Sequence, residues 1–190
     1  MINPSEIFLN PKETAMVIVH MQNDFCTRGG ALYIDGIEQI LDNVEQTLKR
    51  ARDSGVEVVF TKDWHRKDDP EFNIWPEHCV KDTWGSDIID ALSKRDEEYE
   101  VRGRRYSSFY ATDLDLFLRE SGIKNVVVMG VMANICVLHT TADASMLGYR
   151  TIVLSDCVKS VSSYEEDYAL HHMKNVFDTE IITSDCLRFE

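Results

Sequence analysis

Apolar residues along this chain fall into short unbroken runs separated by amphipathic stretches. Ala15–His20 (AMVIVH), Val56–Thr61, Asn125–Gly130 and Arg150–Ser155 are runs of strand length rich in Val and Ile. Such runs predict strands buried on both faces. Tyr99–Arg102 and Thr179–Thr183 read as two shorter strands. Between these runs the period changes. Ile37–Ser54 places Ile37, Ile40, Leu41, Val44 and Leu48 on one stripe, and Gly55 follows as a stop; this is the pattern of a helix with one inward face. Thr112–Ser121 turns Leu114, Phe117 and Leu118 inward, with Gly122 closing it. Ser86–Leu92, Cys136–Leu147 and Tyr164–Val176 complete the predicted helices. Glu165, Glu166 and Asp167 open the last of them, where acidic residues favour the helix dipole. Strands alternating with helices predict an α/β fold: a doubly wound, mostly parallel sheet with helices on both faces.

The 190 residues fit one domain spanning the whole chain, 1–190. The balance of 20 Lys+Arg against 33 Asp+Glu gives a formal net charge of −13. That deficit of cations argues against nucleic acid or an anionic membrane as partner. No apolar run approaches membrane-spanning length, and MINPSEIFLNPKET shows no secretory leader pattern; a cytoplasmic location is expected. The cysteines Cys26, Cys79, Cys136, Cys157 and Cys186 are odd in number and form no CxxC, so reduced thiols are expected. Glycine-rich nucleotide loops are missing from the sequence.

Parallel sheets carry ligand sites at the carboxyl ends of their strands. Here those ends lead into His20 and Gln22–Phe25, Asp63–His65, Arg102–Tyr106, and Gly130–Cys136. Cys136 stands where a strand hands over to a helix, a setting in which amides and the helix dipole favour a thiolate and can cradle an oxyanion. Spacing alone equally admits a buried structural cysteine. Asp63 and His65, two apart in an extended segment, share one side and could share a metal ion. Glu71 and His78 follow in the same loop. That ligand mix suits Zn²⁺, Fe²⁺ or Mn²⁺, although a solvated polar loop remains the plain alternative. His139, His171 and His172 read as ordinary helix residues.

Taken together, VIVHMQNDF (17–25), DWH (63–65), WPEHCV (75–80), RRYSSFYATDLDLFL (104–118) and GVMANICVLHTTADASMLGY (130–149) resemble the isochorismatase-like cysteine hydrolases. The likeness is nearest to their nicotinamidase and N-carbamoylsarcosine amidase branch. The resemblance implies a three-layer fold, a small amide substrate, a homo-oligomer and a catalytic Asp–Lys–Cys triad. It carries the nucleophile to Cys136 and the oxyanion hole to the amides of Met132 and Cys136, with a cis peptide near Val131–Met132. It carries the metal ligands to Asp63, His65 and His78, with Glu71 completing the set. Trp75 becomes a stacking wall for the substrate, and Phe25 lines the same site.

Two triad positions depart. The aspartate base falls at His20, and the lysine falls at Gly103. A histidine beside a cysteine can itself act as base, with imidazolium and thiolate stabilising one another. Glycine offers no replacement for the lysine, and strand parity turns Arg102 and Arg104 away from the side residue 103 faces. Two functions follow: a metal-assisted cysteine amidase using His20 as base, or a catalytically impaired metal- or ligand-binding relative on the same scaffold.

Overall fold

The structure is a computed structural model and describes residues 6–190. Strands β1 (Ile7–Leu9), β2 (Thr14–Val19), β3 (Glu57–Asp63), β4 (Tyr99–Gly103), β5 (Asn125–Val131), β6 (Arg150–Lys159), β7 (Glu180–Ile182) and β8 (Leu187–Phe189) alternate with helices. The helices are α1 (Asn23–Cys26), α2 (Glu38–Ser54), α3 (Leu114–Glu120), α4 (Leu138–Met146) and α5 (Ser163–Phe177). Six strands form one sheet in the order β4-β3-β2-β5-β6-β7, and every neighbouring pair in it is parallel. β1 and β8 pair separately, also in parallel.

The sheet is buried from both sides because successive strand residues supply two different cores. Met16, Ile18, Val58, Phe60, Val127 and Met129 pack with Ile40, Val44 and Leu48 of α2. Ala15, Val17, Val59, Val126 and Val128 pack instead with Leu114 and Leu118 of α3, Ala144 of α4 and Met173 of α5. The central runs are therefore apolar at every position, as their sequences predict. Phe117 is half-buried, stacked on Tyr99 with ring centroids 3.6 Å apart.

From β2 the chain winds outward through β3 to β4, and from β5 it winds the other way through β6 to β7. The reversal lies between β2 and β5, and a crevice opens there at the carboxyl ends of the strands. Gly130 of β5 allows the close approach: its φ is +119°, and a Cβ there would drive into the backbone of Val19.

Three segments differ from the expectation. The predicted helix Ser86–Leu92 resolves into two short 3₁₀ turns, Trp84–Ser86 and Asp90–Leu92. The helix expected from Cys136 begins as a π-helical turn, Ala133–Val137, before α4. β6 continues four residues beyond Ser155, with a register shift between Val128 and Gly130 of its neighbour. None of the helices among the described residues is long and apolar enough to cross a membrane.

Candidate active site

β2 ends at Val19, and His20 turns the chain with a left-handed φ of 48°. Its amide donates to the Thr61 carbonyl, and its own carbonyl accepts from the Gln22 amide. The imidazole is thereby held inward, 1% exposed. Asp63 closes β3 beside it. The Gln22 side chain pins that residue's backbone, its Nε2 donating to the Asp63 carbonyl and its Oε1 accepting from the Asp63 amide, both at 2.8 Å. Gln22 was not among the site residues read from the sequence; its place inside QNDF was the only signal.

β5 delivers the third component. The Val131–Met132 peptide is cis, as the resemblance implied, and the π-helical turn then presents Cys136, which is buried. The Cys136 Sγ, a ring nitrogen of His20 and a carboxylate oxygen of Asp63 lie within 4.8 Å of one another. His20 Nδ1 is 3.5 Å from Asp63 Oδ2.

Burial sets the charge states here. It pushes the Cys136 thiol well above its ordinary value, and the Asp63 carboxylate pushes it further, against a backbone hydrogen bond from Met132 that pulls it down. Desolvation also lowers His20, outweighing the opposing effect of Asp63. Both shifts run toward the uncharged forms of the thiol and the imidazole. Burial therefore opposes the thiolate that a helix terminus or an imidazolium would favour.

Gly103 pairs in register with Asp63 on the neighbouring strand and so shares its face of the sheet. A Cβ there would meet only Thr112 Cγ2 and the Arg105 carbonyl, at 3.8 and 3.9 Å. None of the neighbouring arginines replaces the missing lysine. Arg102 pairs with Glu100 and stacks on Trp64, while Arg104 and Arg105 both pair with the buried Asp69.

The predicted metal ligands also converge. Asp63, His65 and His78 each offer an atom within 4.8 Å of the other two, all buried. His78 Nδ1 sits 2.7 Å from the Pro76 carbonyl, an arrangement that orients the ring and leaves Nε2 for a cation. Neither buried ring nitrogen of His65 reaches hydrogen-bond geometry, although they stand 3.7 Å from Asp63 Oδ1 and 3.4 Å from Asp69 Oδ2. Such nitrogens beside a buried carboxylate fit a divalent cation. Glu71 is buried and joins from the far side, grouped with His65 and Asp69; burial and the nearby Asp63 raise its carboxyl. Asp69, also unforeseen, links His65 to both arginines.

A narrow cleft beside Cys136 is walled by Phe25, Trp75, Tyr106, Met132 and Ile135. The Trp75 indole Nε1 donates to the Tyr106 hydroxyl at 3.2 Å. Phe25 and Trp75 both line this cleft. His139 points elsewhere, its Nδ1 2.7 Å from the Ile135 carbonyl. His171 is exposed, and His172 packs against Tyr168 and Phe177. Cys26, Cys79, Cys157 and Cys186 are all buried.

A family model described as the isochorismatase domain matches residues 14–186. The chain belongs to the isochorismatase family. Among curated proteins, this isochorismatase-family chain is similar to the ureidoacrylate amidohydrolase RutB of Agrobacterium fabrum, with 32% identity covering 80% of this chain and 78% of that one. Its fold is similar to that of N-carbamoylsarcosine amidase from Thermoplasma acidophilum, with TM-score 0.82, 35% identity, and coverage of 91% and 97%. It is also similar to the pyrazinamidase of Pyrococcus horikoshii in complex with zinc, with TM-score 0.84, 31% identity, and coverage of 90% and 99%. The isochorismatase-like α/β fold read from the motifs is borne out.

Proposed function

We propose that this isochorismatase-family protein is a cysteine amidohydrolase of small amides, a nicotinamide-like or N-carbamoyl compound, with His20 as its base. The observation that carries the reading is the mutual approach of Cys136, His20 and Asp63 within 4.8 Å inside the crevice. As Cys136 Sγ attacks the amide carbon, its proton passes to the neutral His20 imidazole. The carbonyl oxygen becomes an oxyanion held by the Met132 and Cys136 amides. His20 returns the proton to the departing nitrogen, leaving a thioester on Cys136. Water then attacks the thioester, giving its proton to His20, which hands it back to the sulfur as the acid leaves.

Asp63, His65 and His78, with Glu71 adjacent, are the residues that would hold a divalent cation, of which Zn²⁺, Fe²⁺ and Mn²⁺ suit the donor set. A cation held there supplies a Lewis-acidic anchor for a substrate nitrogen or oxygen. Phe25 and Trp75 flank the substrate and exclude water.

A second reading has an observation of its own. Histidine at position 20 and glycine at 103 stand where the family's aspartate and lysine are expected, which favours an impaired, ligand-binding relative. Ammonia release from nicotinamide, N-carbamoylsarcosine and ureidoacrylate separates the two, using Cys136→Ala as blank. The amidase reading expects turnover of at least one that vanishes in the blank. Equal rates in both proteins would remove Cys136 as nucleophile.

A further inference from the structure

The Asp63 carboxylate is shared by two sets of donor atoms. Its Oδ1 faces His65 Nε2 at 3.7 Å, and its Oδ2 faces His78 Nε2 at 3.8 Å and His20 Nδ1 at 3.5 Å. Besides the set with His65 and His78, Asp63 groups with His20 and Cys136 as a second set of buried donor atoms within 4.8 Å. Charge in this region is unbalanced. Asp63 is 4% exposed, and its ion-pair partners among the described residues are histidines only. Position 103, beside it on the next strand, is glycine. A buried carboxylate without a fixed cation is costly.

His20 supplies a second, independent observation. Its Nδ1 is fully buried and has no hydrogen-bond partner, yet it faces Asp63 Oδ2 at 3.5 Å. That separation matches the edge of a tetrahedral zinc site, roughly 3.3–3.8 Å for ligands about 2.0–2.3 Å from the metal. We propose that Cys136, His20 and Asp63 form a thiolate-containing site for a soft divalent cation, Zn²⁺ in the first place, distinct from the Asp63–His65–His78 set and sharing its carboxylate.

On binding, the Cys136 thiol gives its proton to solvent and the sulfur bonds the cation as thiolate. His20 donates through a neutral ring nitrogen, and Asp63 through one carboxylate oxygen. The cation neutralises the carboxylate and thiolate together, which is why a soft metal with mixed sulfur, nitrogen and oxygen ligands fits. Occupancy of this site withdraws the Cys136 nucleophile from amide hydrolysis.

Co²⁺ titration of the full-length, metal-stripped protein tests this, because only a thiolate ligand gives an intense near-ultraviolet sulfur-to-cobalt band. The Asp63–His65–His78 set carries no sulfur. The band is expected in the wild-type protein, absent in Cys136→Ser, and weakened at least tenfold in apparent affinity by His20→Asn. Circular dichroism checks that both variants are folded. Stoichiometric Co²⁺ binding without the band would overturn the proposal. So would a band that survives Cys136→Ser and disappears in Cys79→Ser. The result is independent of the amidase reading, since a band without turnover, or turnover without a band, sinks one and leaves the other.

Discussion

His20 is the residue on which the chemistry turns. It combines a left-handed backbone, full burial and a 3.5 Å approach to Asp63, so it is fixed rather than mobile. Desolvation pushes it below its ordinary value, toward the neutral form that accepts a proton. The Cys136 thiol is pushed up, which favours proton transfer accompanying attack. A cation beside the sulfur would lower that barrier. His20→Asp combined with Gly103→Lys is therefore expected to raise kcat/KM at least tenfold, measured by ammonia release. The new lysine's Cβ has room, with no contact shorter than 3.8 Å. Asp63, His65, His78 and Cys136 were singled out from short motifs: Asp63 closes β3 and His65 follows it, His78 lies in the loop between β3 and β4, and Cys136 follows β5. Gln22 and Asp69 were not singled out, because each acts by holding another residue, and spacing carries no sign of such roles.

At the scale of elements, the strands were legible where burial on both faces makes them uninterrupted apolar runs. β1 and β8 escaped, being three residues each and paired only with one another. The second half of β6 escaped because SDCVK carries polar residues that read as a strand end. The π-helical turn has no sequence period of its own at five residues, although such turns gather at functional sites. Gly130 joins β5 to β2 at the switch point. Gly130→Ala is expected to cost at least about 2 kcal/mol in urea unfolding, since its φ is +119° and the new methyl meets Val19 backbone. At α5, Ser162 Oγ accepts from the Glu165 amide and caps the helix. Ser162→Ala should lower stability by about 1 kcal/mol in the same measurement, with the site untouched.

At the scale of the whole molecule, the alternation of strands and helices gave the layer arrangement directly, whereas the strand order was not readable from periodicity. Long-range polar ties lock the layers. Arg52 of α2 forks onto Glu98, with Nε–Oε1 at 2.6 Å and Nη2–Oε2 at 2.8 Å. Burial alone would raise the Glu98 carboxyl, but Arg52 and the Arg95 amide outweigh it and hold it below its ordinary value. A carboxyl lowered in the folded state contributes stability that is fully present above its unfolded pKa, about 4.3. That contribution is lost as pH falls through the lower folded value. Glu98→Gln is expected to lose roughly 1.5–3 kcal/mol at pH 7, and the gap to wild type should narrow below pH 4.3 in parallel denaturation curves.

The central claim is that Cys136 and His20 together hydrolyse a small amide in place of an aspartate-based triad. Its most direct test is kcat/KM for ammonia release by the metal-replete wild type beside His20→Ala, on whichever amide is turned over. The account predicts a fall of about 10²–10⁴ with the protein still folded and KM nearly unchanged. Equal kcat/KM in the two proteins would contradict it, as would a wild type no faster than the Cys136→Ala blank.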